Sequence, residues 1–409
     1  MKRRLGIGLI ALILLISSGC AAASKDAAEI GMYDIKMESA QHNEEYSKER
    51  SVGTEDGGSG AAATEPAAHD PLVYVTFSKY TDGINSENGT KLFGSRYYLP
   101  EFITEDESTN TWLNDMVANQ AAETEIHMER LATQARKDYQ ERVENDQTDF
   151  YAYSFYCDVT TERLDSTVIS VLQVNSIYSG GAHPNYAQTA YNLDLASRRQ
   201  LSLADVILPD QVELLEQGVL DRLAIQFGGL ENSGLYADYP EIVASSFSET
   251  ELTTNWYFTD KSLVIYFNCY DIAPYAAGII KVEFPYETLG DVLKPEYIPN
   301  GTQTGEGSFR SLDSVETRRV LGGHAEGEWY YFGTDQAVLD VKLCQVTGWL
   351  TNDVPIIGPT VLSANRLTGA EAVSLPKTEG MDYLLSWHTG MGEVQKVVIS
   401  GSEIMKIVD

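Results

Sequence analysis

Basic residues are in short supply in this chain. Twenty-nine Lys and Arg face 60 Asp and Glu over 409 residues, a formal charge of −31. Binding a phosphate backbone needs a cationic surface, so nucleic acid is not an expected partner. A cationic partner is electrostatically permitted, and acidity also favours solubility by itself. Cysteine is scarce: Cys20, Cys157, Cys269 and Cys344 make four, with no metal-ligand spacing among them. HExxH, G-x-S-x-G, CxxC and the P-loop are all absent, which removes the commonest sequence signatures of metalloproteases, serine hydrolases, thiol redox enzymes and nucleotide hydrolases. No metal site, no cofactor and no catalytic set is therefore assigned from the sequence. Long apolar runs are missing too. The one notable run, Leu5 to Ile16, is 12 residues, and a spanning helix needs about 20.

What is present begins with that run. Lys2, Arg3 and Arg4 precede it, and Ser17-Ser18-Gly19-Cys20 follows. A charged start, a short apolar stretch and small residues have the anatomy of an export signal. The Cys directly after Ser-Gly resembles a bacterial lipoprotein signal, in which that Cys becomes the lipidated mature N-terminus, although Ser17 stands where Leu is usual. The alternative is an ordinary secretory signal with an incidental Cys. Lipidation at Cys20 implies attachment at the outer face of the cytoplasmic membrane, with the membrane contacted through the lipid alone. Residues 21–70 follow as an expected disordered tether, with eleven acidic against four basic residues and no apolar period. Fifty flexible residues reach about 40 Å.

The expected folded part has two regions. Residues 71–298 read as α+β, an antiparallel sheet with helices on one face, divisible into a strand–helix part (71–148) and a second part (149–298). PLVYVTFSKY and RYYLPEFI read as extended. Thr104-x-x-Glu107 offers a capping box. Leu113, Val117, Ala121, Thr124, Met128, Leu131, Ala135 and Tyr139 then form the stripe of a long helix ending before Asn145. FYAYSFYCDV, TVISVLQVNSIY and TAYNLDL are strand-like. NWYFTDKSLVIYFNCY reads as a hairpin turning at Thr259-Asp260-Lys261. Residues 299–308 are linker-like. Residues 309–409 alternate strand-like runs with Gly, Pro, Asn and Asp breaks, as in a small all-β domain, a sandwich or barrel. With Cys20 lipidated, three thiols remain. Cys157 and Cys269, both in apolar stretches, either bridge or stay buried as small hydrophobes.

Two segments carry a family resemblance: Tyr178-Ser179-Gly180-Gly181-Ala182-His183-Pro184-Asn185, and Tyr270-Asp271-Ile272-Ala273-Pro274-Tyr275-Ala276-Ala277-Gly278 followed by Phe284-Pro285-Tyr286. With Leu201–Val206 between them, they resemble the extracytoplasmic domain shared by RsiV-type anti-sigma factors and the non-catalytic part of PdaC-type peptidoglycan deacetylases. The domain is mostly catalogued as having unknown function. The resemblance spans roughly 71–295 and implies, from the anti-sigma members, a capacity to bind lysozyme. Only four residues precede the apolar run, so no sigma-holding cytosolic module is expected, and no deacetylase domain is legible.

The candidate binding loop is Tyr178, Gly180, Gly181, His183, Asn185, Tyr270, Asp271 and Tyr275. Gly180-Gly181 opens dihedrals closed to other residues and Pro184 fixes the chain after His183. Two uses are open: a ligand contact or base at His183, or a structural turn in which His183 bonds the backbone. Trp329, Trp349 and Trp387 form either a sugar-binding face or core. The functional expectation is a membrane-anchored binding protein of the bacterial envelope, with a lysozyme-like cationic protein or peptidoglycan as partner. The alternatives are a peptidoglycan-acting enzyme, which needs two carboxylates about 5–9.5 Å apart, or a structural lipoprotein.

Overall fold

The computed structural model of the chain describes residues 36–39, 71–147, 149–228, 234–248, 255–299, 307–313, 329–350, 354–368, 371–377, 380–388 and 394–406. The expected leader with Cys20, most of the expected tether, and a Gly-Gly-His stretch at Gly322-Gly323-His324 lie outside them.

In chain order the elements are β1 (Lys36–Ser39), β2 (Val73–Asn85), β3 (Lys91–Thr104), α1 (Glu107–Glu144), β4 (Tyr153–Leu164), β5 (Val168–Tyr178), β6 (Asn185–Asp194), β7 (Arg199–Gln200), α2 (Leu203–Val206), α3 (Val212–Gln226), α4 (Tyr239–Ser246), β8 (Trp256–Phe258), β9 (Ser262–Phe267) and β10 (Ile280–Pro285). The C-terminal strands are β11 (Phe309–Ser311), β12 (Trp329–Thr334), β13 (Val338–Trp349), β14 (Pro355–Leu367), β15 (Glu371–Pro376), β16 (Asp382–His388), β17 (Val394–Ser400) and β18 (Glu403–Lys406). The fold is α+β, dominated by an 11-stranded sheet in the order β18-β17-β16-β13-β14-β2-β3-β4-β5-β6-β7. Among the described strands only β3 and β4 pair in parallel, and the helix α1 makes the crossover that a parallel pair requires.

Helix α1 is capped two residues later than the sequence suggests, at Asp106 rather than Thr104. Asp106 is its N-cap, accepting from Thr109 N at 2.7 Å, while Thr104 instead donates its hydroxyl to the Asp106 carbonyl. The aspartate carboxylate reaches the free amides of the first turn directly. Leu113, Thr124, Leu131 and Ala135 of the predicted stripe are buried. Asn110 and Asn114 fasten the helix to β3: each side-chain amide both accepts from and donates to the main chain, at Thr104 and at Phe102.

Side-chain alternation then divides the sheet into two faces. Ile169 and Val171 of β5 join Phe155, Cys157 and Val159 of β4 under α1. Leu172, one step out of phase, meets Tyr257, Val264 and Tyr266 of a second sheet, β10-β9-β8. All six residues of β9 are buried, because Leu263, Ile265 and Phe267 face the opposite way, onto α3 and α4 through Leu215, Val219, Leu223 and Val243. The order of layers is α1, large sheet, small sheet, α3 and α4. The helices thus lie at the two outsides of a double sheet.

The C-terminal strands form a sandwich. The sheet β1-β15-β12-β11 contributes Phe309, Phe332, Val373 and Leu375 to a core shared with Val341, Leu362, Leu385 and Val397 of the large sheet. This region is joined edge to edge with what precedes it: β14 pairs with β2 through Leu362–Thr76, Ser363–Val75 and Ala364–Tyr74. Residues 36–39, inside the expected tether, are the strand β1, paired with β15. β1 covers the side of β15 that would otherwise be an edge, where unpaired amides and carbonyls accept an extended segment.

Candidate functional site

The two singled-out segments, 87 residues apart at His183 and Tyr270, meet at the tip of the β5–β6 hairpin. The hairpin ladder runs to Ile177–Asn185, and the chain turns through Gly180 (φ 92) and Gly181 (φ 101). Both dihedrals lie where only glycine is at ease. Across from this turn, the segment after β9 is tied to β6 by Asn268. Its side chain accepts from Gln188 N at 2.7 Å and donates to Gln188 O at 3.1 Å, imitating one more residue of a β ladder. Asp271 Oδ2 accepts from Asn268 N at 2.6 Å. Burial pushes the Asp271 carboxyl up, against that hydrogen bond. The turn leaves Tyr270 at φ 72 and Gly278 at φ 69.

This geometry gathers rings. His183 stacks on Tyr275 with centroids 3.8 Å apart and planes 19° apart. Its Nε2 lies 3.3 Å from the Tyr270 hydroxyl, and its Nδ1 lies 2.9 Å from the Pro184 carbonyl. The Tyr275 hydroxyl donates to that same carbonyl at 2.7 Å. Tyr270 and Tyr186 flank Tyr275 at 5.7 and 6.3 Å. His183, Tyr186 and Tyr270 are exposed, Tyr270 by 51%. The result is an outward-facing aromatic platform held by backbone bonds. The ring nitrogens of His183 face a carbonyl and a phenol, and among the described residues no carboxylate bonds the ring to orient it as a base.

The remaining candidates fall elsewhere. Asp271 holds a turn. Asn185 is exposed at the start of β6. Tyr178, whose hydroxyl donates to the Gly181 carbonyl at 3.1 Å, stands with Gly180 and Gly181 on the other side of the hairpin tip. There they line a cavity of about 490 Å³ with Asp138, Tyr151 and Tyr153 at the end of α1. Tyr153 donates to Asp138. Cys157 lines a separate cavity of about 280 Å³ beneath α1, and burial pushes its thiol up to about 12. Cys157, Cys269 and Cys344 are unpaired. Of the three tryptophans, Trp387 is core, donating to the Gly307 carbonyl, whereas Trp349 is 42% exposed. They form no common face.

One cluster escaped the sequence altogether. Asp260, in the β8–β9 turn, meets Asp340 of β13 and His388 of β16, with His388 Nδ1 2.7 Å from Asp340 Oδ2. No short-range spacing announces residues on three separate elements. Neither of the two cavities described above reaches it.

Residues 86–186 match the family model described as Deacetylase PdaC. Residues 229–287 match the model described as a protein of unknown function, DUF3298. The chain carries the two segments together. His183 belongs to the PdaC segment and Tyr270 and Tyr275 to the DUF3298 segment, so the platform is built where the two meet. A DUF3298 family member from Bacteroides fragilis has a crystal structure that is 21% identical, with a TM-score of 0.44, over 55% of this chain and 95% of that one. A DUF3298 family protein from Pseudomonas aeruginosa is 17% identical, with a TM-score of 0.38, over 56% and 98%. Comparison with curated proteins gives no match. Among the described residues no helix is long and apolar enough to cross a membrane.

Proposed function

We propose that this chain is a lipid-anchored, extracytoplasmic binding protein of the bacterial envelope, and that the His183–Tyr270–Tyr275–Tyr186 platform is its contact surface. The observation that carries the reading is that platform. Exposed, stacked rings fixed by backbone bonds offer amphipathic contact area at little entropic cost on binding. The leader ending at Cys20 supports the anchor, and the resemblance to RsiV-type ectodomains supports a lysozyme-like protein as the partner. The net charge of −31 favours encounter with a cationic protein. At 0.15 M salt the screening length is about 8 Å, so charge acts mainly on the association rate.

A second ligand, wall glycan, is supported by the cavity of about 490 Å³ bordered by Tyr151, Tyr153 and Tyr178, since tyrosine faces and carboxylates suit sugar rings and hydroxyls. Binding of the full chain to lysozyme and to insoluble peptidoglycan tests the two side by side. Lysozyme binding is expected to be strong at low salt, to weaken steeply with added salt, and to fall at least tenfold in His183→Ala and Tyr275→Ala. Capture by neither ligand at low salt would sink the binding reading. Equal capture by wild type and both variants would remove the platform from it.

A further inference from the structure

Asp260, Asp340 and His388 bring two carboxylates and an imidazole from three elements to one point. One ligand atom from each lies within 4.8 Å of the other two. All three residues are partly buried. Asp340 is delivered by a bulge. The β13–β16 register passes from Leu339–His388 to Lys342–Ser386, so two residues of β13 oppose one of β16, and Asp340 takes a left-handed backbone at φ 49. A bulge of this kind re-aims a side chain out of the alternation of its strand. Here it turns the carboxylate toward His388.

The charges at this point do not close. Among the described residues the Asp260 carboxylate has no hydrogen-bond donor, and its ion-pair partner, Lys342 Nζ, stands 3.9 Å away. Burial disfavours its charge, Asp340 and Glu162 of β4 add negative potential around it, and Lys342 and His388 oppose them. A carboxylate so placed, lacking donors and facing a second carboxylate and an imidazole, has the surroundings of a ligand to a bound cation.

We infer that Asp260, Asp340 and His388 bind a divalent transition-metal ion that clips the β8–β9 turn to the C-terminal sheet. Bonds of about 2.0–2.2 Å to nitrogen and oxygen need donors no more than about 4.4 Å apart, so small side-chain rotations close the set. The imidazole favours zinc-like ions over magnesium or calcium. Three protein ligands leave a position for water or for a group on a bound partner. Lys342, about a third exposed, swings to solvent when the metal replaces it as counter-charge. The clip joins the DUF3298 segment to strands outside both matched segments, a role independent of the aromatic platform.

The test is calorimetric titration of the metal-free full chain with Zn²⁺, with Ca²⁺ and Mg²⁺ as comparisons, alongside the melting temperature. One Zn²⁺ per chain is expected, with a rise in melting temperature. At least tenfold weaker binding is expected in both Asp260→Asn and His388→Ala, and unchanged binding in His127→Ala, which alters an exposed histidine on α1. Asp260→Asn keeps the shape of the side chain and so separates lost ligation from misfolding. Co²⁺ substitution should give visible bands without thiolate charge transfer, excluding the cysteines as ligands. Absence of Zn²⁺ binding by the wild type, or equal binding by folded Asp260→Asn, overturns the site.

Discussion

The stack of His183 on Tyr275 depends on residues that touch neither ring's outer face. Gly180 and Gly181 make the turn, Asn268 docks the facing loop on Gln188, and Asp271 holds that loop's bend. Such positioning bonds are the residue-scale equivalent of a scaffold. A second set of this type has a measurable pH signature. Asp205 accepts from Ser202 N and Ser202 Oγ and pairs with Arg199 at 2.9 Å. Burial works to raise its carboxyl, but the bonds from Arg199 and Ser202 prevail and hold it at about 2, below its usual 3.8. A depressed folded-state pKa stabilises the fold above the unfolded value, and that contribution disappears as pH falls through the folded one. Acid titration of stability should therefore be less steep between about pH 4 and 2 in Asp205→Asn than in the wild type. Parallel curves for the two would assign the acid sensitivity to other groups.

At the scale of elements, α1 is held by a narrow stripe and by two asparagines hooked onto β3. Leu113 is 1% exposed and lies in the core between helix and sheet. Leu113→Ala is expected to cost about 3 kcal/mol, the usual outcome for a buried leucine with partial collapse of the cavity, read from the midpoint of urea unfolding. A loss below about 1 kcal/mol would mean that the helix is not anchored there. The helix was legible in the sequence because a 3.6-residue period persists over about seven turns, from Leu113 to Tyr139. Its cap was not legible, because Thr104 and Asp106 are both good capping residues and only the backbone path chooses between them. The β8–β9 hairpin was equally legible, its turn falling at Thr259-Asp260-Lys261 between two apolar runs. The partners of these strands were not legible, since strand alternation says which residues share a face but not which sheet that face will meet. β9 is the clearest case: a fully apolar run reads as buried on both sides, with nothing in it to name α3 on one side and β5 on the other.

Across the whole molecule, the β14–β2 pairing makes the C-terminal strands part of the main sheet. Val73 N donates to Asn365 Oδ1 at 3.0 Å, and Thr161 Oγ1 donates to Ser363 Oγ at 2.8 Å. Tyr74 belongs to the C-terminal core. A fragment of residues 71–298 therefore exposes the edge of β2 together with an apolar side chain, the arrangement that invites edge-to-edge association. It is expected to unfold at lower urea than the full chain and to self-associate on size exclusion. A monomeric fragment of equal stability would show that the two regions are independent after all.

The sequence by itself determined the acidity, the basic-then-apolar pattern of its first twenty residues, the α+β character, the long helix and the two segments that build the platform. Each of these is a property of neighbours along the chain, set by composition, period or local backbone preference. Only the tertiary structure decided that those segments touch, that the C-terminal strands continue the first sheet, and that Asp260, Asp340 and His388 converge. Those outcomes depend on which buried faces and open edges find one another, and a one-dimensional pattern carries the demand for burial without the identity of the partner that meets it.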